Sequence, residues 1–180
     1  MLHVFGFERI GVAVGDLYFV DPRPGPGQGG AERGVRLEVR WLDSPPADGS
    51  IYASRPIVVD RPIWRADLLE SVAGGPGTWD RTHHHPKMRG WEPDTRQFDD
   101  AMTADPLAFV ATQLSDLEGL MRGAGMDSSE VPDDDVSDLR AAVPEIVETT
   151  RSLLAAVREG RLATGPAGTE TPDNAREGWL

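Results

Sequence analysis

Val35-Arg36-Leu37-Glu38-Val39-Arg40-Trp41 decides the fold class: apolar and polar residues alternate without a break, so Val35, Leu37, Val39 and Trp41 share one face of a half-buried strand. Arg36, Glu38 and Arg40 take the other face. Upstream, Val4-Phe5-Gly6-Phe7, Ile10 to Val14 and Leu17 to Val20 are rich in β-forming residues, and Gly15-Asp16 between the last two predicts a hairpin. Asp21 to Gly34 carries too much Gly and Pro for regular structure and is expected to be an exposed, mobile loop. Downstream, Ser44 to Ser50 reads as a turn, and Ile51 to Val59 and Ile63 to Val72 as extended segments with Pro56 and Pro62 at edges or bends. Short connections between consecutive strands favour antiparallel pairing, so residues 1–72 predict a mostly antiparallel sheet. The pattern leaves open whether that sheet is barrel-like.

The period then changes. Asp105-Pro106 is a helix start, with Asp capping free amides and Pro pre-shaped for the first helical position. Leu107, Val110, Leu114, Leu117 and Met121 recur every three or four residues, which predicts a helix to about Arg122 ended by Gly123 and Gly125. Asp133-Asp134-Asp135 suits the positive end of a second helical region striped by Val136, Leu139, Val143, Ile146, Thr150, Leu153 and Val157. Pro144 lacks an amide donor and is expected to split or kink that region, giving two or three helices in all. The expected class is α+β. The expected organisation is a single domain over 1–162, with a sheet (1–72), an irregular histidine-containing loop (73–104) and helices (105–162), then a flexible tail over 163–180.

A formal charge of −12 disfavours broad contact with nucleic-acid phosphates or anionic membranes, and leaves metal ions and basic proteins as candidate partners. Without cysteine there is no disulfide, thiolate ligand or cysteine nucleophile, so any metal must be held by His and carboxylates. The opening MLHVFGFERIGVAVG lacks the basic start and apolar core of a secretory signal, and the expected location is cytoplasmic.

Three of the four histidines are consecutive, in Asp80-Arg81-Thr82-His83-His84-His85-Pro86. Pro86 biases the preceding residue toward an extended backbone, which would send His83 and His85 to one face and His84 to the other. Such a pair is a ready bidentate site for Zn, Fe, Ni or Cu, with Asp80, Glu92 or Asp94 completing the ligand set and His3 a more remote candidate. Arg81, Lys87, Arg89 and Arg96 make this stretch a basic island in an acidic chain. Arg81 and Arg89 with Trp79 and Trp91 therefore form a second candidate set, for a carboxylate, phosphate or flat ligand.

Gly77 and the H-x-H pair match the start of the cupin pattern, but Glu92 lies too far downstream, no later histidine exists, and the helices after Asp105 replace the closing strands. Gly25 to Gly30 spells G-x-G-x-x-G, yet a strand follows where a dinucleotide site needs a helix. The sequence thus predicts a small intracellular protein binding a divalent metal or an anionic ligand around His83 to His85, and leaves open whether it is a metal-dependent enzyme. The competing expectation is a non-catalytic acidic protein that docks on a basic partner.

Overall fold

The computed structural model describes residues 1–46, 48–166 and 175–178. Its strands are β1 (Leu2–Gly6), β2 (Ile10–Val20), β3 (Ala31–Asp43), β4 (Val58–Ser71), β5 (His83–His85), β6 (Met88–Arg89), β7 (Glu92–Pro93) and β8 (Ala175–Gly178). Its helices are α1 (Asp100–Ala104), α2 (Pro106–Ser115), α3 (Leu117–Ala124) and α4 (Asp133–Arg158). The class is α+β, with an antiparallel sheet first and four helices after it.

The main sheet runs β1-β2-β3-β4-β5, and β6 with β7 forms a separate small hairpin. It is open, so the barrel-like alternative falls: β5 ends one side, and β1 and β8 lie end to end along the other side of β2. The alternation in β3 sets the two faces. Val35, Leu37 and Val39 lie opposite Leu68, Ala66 and Trp64 of β4 and join Val110, Leu114, Met121, Leu139 and Ile146 in the hydrophobic core beneath the helices. On the reverse face Arg36 lies opposite Asp67, and Glu38 opposite Arg65. That face is buried as well, because every one of β3's residues from Gly34 to Leu42 is shielded from solvent.

Several expectations are corrected. Gly15-Asp16 is not a turn: β2 passes straight through it, and the hairpin bends instead between Gly6 and Ile10. The buried Asp16 has work to do inside the strand, pairing with the Met1 amino group and accepting the Ala163 amide at 2.9 Å. The expected helix from Asp105 breaks at Asp116, whose carboxylate accepts the Gly119 amide at 2.9 Å and starts α3. Conversely, α4 runs on through Pro144. Burial of Leu139, Val143, Ile146, Leu153 and Val157 outweighs the roughly 3 kcal/mol that an interior proline costs. The histidine run, expected in an irregular loop, is a strand of the sheet. Of the expected flexible tail, Ala175–Gly178 pairs with Val20 to Leu17, while 167–174 and 179–180 lie outside the described residues.

The acidic triplet also does more than complement a helix dipole. Asp135 is buried and accepts the amides of Glu8, Arg9 and Ile10 at 2.8, 2.8 and 3.1 Å, clamping the first hairpin onto α4. Asp135→Ala strands those donors and is expected to lower stability by about 3 kcal/mol in urea unfolding, whereas Asp134→Ala shifts it by less than about 0.5 kcal/mol.

Candidate metal centre

The register of β5 on β4 builds the site: His83 lies opposite Asp67, His84 opposite Ala66 and His85 opposite Arg65. Directly opposed residues share a face. His83 and His85 therefore join Asp67 on the polar side, and His84 turns to the helices. There His84 meets Phe109 with ring centroids 5.2 Å apart, and its Nδ1 stands 3.4 Å from the Trp64 indole nitrogen. Burial pushes the His84 pKa down, so its ring is a neutral packing group.

The connection that delivers β5 is pinned at several points. Asp80 accepts the Ser71 amide at 2.9 Å and the Thr78 hydroxyl at 2.8 Å, and Glu70 accepts the Gly77 amide at 2.7 Å. The Thr82 hydroxyl donates to the Leu69 carbonyl at 3.0 Å. On the far side, the backbones of His84 and Gln97 exchange two hydrogen bonds, so the short strand is held from both edges.

At the centre, Asp67 Oδ2 lies 3.4 Å from His83 Nε2 and 3.6 Å from His85 Nε2. One ligand atom from each of these three buried residues lies within 4.8 Å of the others. The opposite ring nitrogens are committed: His83 Nδ1 is 2.7 Å from the Arg81 carbonyl and His85 Nδ1 is 3.1 Å from the Asp94 carbonyl. A carbonyl only accepts, so both Nδ1 atoms carry a hydrogen, and the Nε2 atom of each ring faces Asp67. Imidazoles that bind metals are fixed in this way, with one nitrogen donating to a carbonyl or carboxylate and the other aimed at the ion.

Burial alone would raise the pKa of Asp67, but the Arg36 guanidinium and the two histidines hold it well below the usual carboxylate range. Arg36 grips it with two hydrogen bonds, Nε to Oδ1 at 2.6 Å and Nη2 to Oδ2 at 3.0 Å. The carboxylate oxygen and the two Nε2 atoms thus form an N,N,O set able to hold a cation.

The group opens on a cavity of about 200 Å³, whose lining includes Glu32, Arg36, Arg65, Glu92, Arg96 and Arg176. Glu32 is fully buried, and among the described residues neither carboxylate oxygen has a hydrogen-bond partner. Arg81 Nε lies 3.4 Å from its Oε1, an ion pair without hydrogen-bond alignment. Burial raises the Glu32 pKa against the opposing pull of Arg96, His83 and Arg81. A buried carboxylate with a raised pKa beside a cavity is a poised proton acceptor. A larger cavity of about 650 Å³ lies between β1 and α4, lined by Met1, Leu153, Ala156 and Leu162 among others, and His3 is found there, apart from the other histidines.

The structure sorts the residues named from sequence. His83 and His85 belong to the group; the carboxylate beside them is Asp67, in place of Asp80, Glu92 or Asp94. Asp80 is occupied in the loop before β5, and Glu92 stands in β7 at the cavity wall. Asp94 contributes its carbonyl to His85 and its side chain to the exposed Arg89 at 2.9 Å. Arg81 is spent on Glu32 and Asp80, and Trp79 lies under the Arg158 guanidinium, 4.5 Å from it, so these do not converge with Arg89 on one ligand. Trp91 faces Arg40 at 5.2 Å and lines an adjoining cavity.

Asp67 was missed because it sits in an apolar segment, yet a signal existed. In Trp64-Arg65-Ala66-Asp67-Leu68 the charges alternate with apolar residues, in phase with Arg36 and Glu38. Glu32 was lost within the stretch read as a loop.

Compared with known protein families, curated proteins and solved structures, the chain matches none. What the fold and site define is an α+β protein whose sheet carries a buried Asp/His/His group able to hold a metal ion. Among the described residues, no helix is long and apolar enough to cross a membrane.

Proposed function

We propose that this protein is a metal-dependent enzyme in which Asp67, His83 and His85 bind one divalent cation. The observation that carries the reading is the convergence of two Nε2 atoms, on rings whose Nδ1 atoms are committed to carbonyls, upon one buried carboxylate. With Nδ1–H donated to a carbonyl, each ring is able to turn an Nε2 lone pair to a cation beside Asp67. A proton on either Nε2 would make that ring an imidazolium and compete with the cation for the same place.

Two imidazoles and one carboxylate suit Zn, Fe, Ni or Cu, and three protein ligands leave coordination positions for a substrate or water, as catalytic sites require. The metal would supply Lewis acidity at those positions. Around it, Arg36 fixes the orientation of Asp67, the Arg81 and Asp94 carbonyls fix the two rings, and Glu32 can take a proton from a bound molecule.

The test is elemental analysis of untagged protein purified without chelators. The expected result is close to one of these metals per chain. Folded protein that arrives empty and takes up none of Zn, Fe, Ni or Cu would overturn the reading.

A further inference from the structure

Two buried carboxylates on the polar face of the sheet line the cavity beside the histidines, and their surroundings differ. Alternation along β3 puts Glu32 on the same face as Arg36, and strand pairing sets it opposite Phe19 of β2 and Ser71 of β4. Asp67 receives two hydrogen bonds from Arg36. Glu32 is 0% exposed, and among the described residues neither of its oxygens receives any. A carboxylate buried without donors bears the full cost of its lost hydration, so the fold keeps Glu32 against its own stability.

The cation beside it does not supply what is missing. Arg81 Nε stands 3.4 Å from Glu32 Oε1 without hydrogen-bond alignment, while its Nη groups turn to the Gly29 carbonyl at 3.4 Å and to the Asp80 carboxylate at 3.3 Å. That pairing offsets the charge of Glu32 and leaves its oxygens without hydrogens. Arg36, Arg65 and Arg96 also line the cavity but donate elsewhere, to Asp67, to Glu38, and to Gln28 and Asp21. Two unfilled acceptor oxygens whose charge is already balanced call for a neutral donor. An ammonium placed there would face Arg81 and Arg96, whose charges already act on Glu32.

We propose that Glu32 is the ligand-recognising residue of this cavity, accepting a hydrogen bond from a neutral N–H or O–H group of a small amide or alcohol. A carboxylate only accepts, so the group that meets it on the ligand must donate. The cavity, at about 200 Å³, is below the size of drug-like pockets and admits a fragment of few heavy atoms. Asp67, His83 and His85 line the same space, so the donor held by Glu32 and the atom that reacts belong to one small molecule. The assignment deepens the metal reading by naming the class of ligand, and it rests on that reading for the reactive end alone, because the unfilled oxygens of Glu32 are there with or without the cation.

Titration with acetamide and, separately, with ethylene glycol, followed by NMR, tests it, using the full chain as purified and again after metal removal. One of the two is expected to bind saturably in the millimolar range, and which one binds distinguishes an amide from a hydroxyl ligand. N,N-dimethylacetamide keeps the carbonyl and lacks the N–H, and is expected not to bind. Glu32→Met is expected to weaken binding about tenfold, while its midpoint in urea stays at or above that of the wild type, because an apolar side chain replaces a buried carboxylate that had no donors. Absence of binding by both probes, equal binding of acetamide and its dimethyl form, or wild-type affinity in Glu32→Met overturns the assignment. A lowered urea midpoint in both Glu32→Met and Glu32→Gln overturns it as well, by making Glu32 a structural partner of Arg81. Glu32-dependent binding in protein that takes up no metal supports the assignment and removes the metal centre; metal-loaded protein that ignores both probes does the reverse.

Discussion

Asp67→Asn is expected to cost the fold about 3–5 kcal/mol, the range for removing one partner of a buried ion pair. Asp67 is 1% exposed and Arg36 is 8% exposed, so the guanidinium stranded by the substitution has little water to turn to. The asparagine keeps one acceptor oxygen but places an amide donor against the other arm of the Arg36 fork, where two hydrogen bonds now end on one carboxylate. Urea unfolding at neutral pH measures the loss.

The pH dependence gives a second check. The folded pKa of Asp67 is depressed, so its ionisation contributes stability that is present above the unfolded value of about 3.9 and is lost as pH falls through the lower folded value. The gap between wild type and Asp67→Asn should therefore close in acid below about pH 4. Replacing both partners, Arg36→Met with Asp67→Leu, should recover much of the stability because neither charge remains. Equal stability of wild type and Asp67→Asn at neutral pH would show that the pair does not hold the sheet.

His83→Ala with His85→Ala is expected to abolish thermal stabilisation by metal. A cation that binds the folded chain alone stabilises it by about 2.7 kcal/mol at a concentration one hundred times Kd. In a chain of 180 residues this raises Tm by about 5–10 °C. The double variant loses both nitrogen ligands and keeps only Asp67, so scanning calorimetry should show the same Tm with and without metal. His84→Ala is the control: its ring packs against Phe109 and Trp64, so the variant is less stable yet still responds to metal. A metal response that survives in the double variant would place the cation elsewhere.

Much of the architecture could be read from periodicity. The strict alternation of Val35 to Trp41 marked a strand, and the three-and-four spacing of Leu139, Val143 and Ile146 marked a helix, because each repeat matches the geometry of a buried face. Local signals failed where a distant partner decided the outcome. Gly15-Asp16 has turn composition, but Asp16 reaches Met1 and Ala163, and these contacts keep the strand straight. Pro144 is a helix breaker whose cost is overridden by packing on both sides.

The site shows the same division. The spacing of His83 and His85 contained their shared face, since alternation along a strand is a local property. Asp67 lies outside that window and is brought in by strand pairing, so neighbouring acids such as Asp80 and Glu92 were nearer in sequence and farther from the chemistry. Arg176 is more distant still, and nothing in Ala175 to Gly178 announces a strand.

The order in which the parts are made follows from where they lie. Asp67, His83 and His85 belong to two adjacent strands, so a ribosome has synthesised all three residues of the group before it reaches the helices. Arg176 follows α4 in the chain and docks on β2, which precedes both strands of the group. A nascent chain halted after α4 would therefore hold Asp67, His83 and His85 without the strand that later pairs with β2.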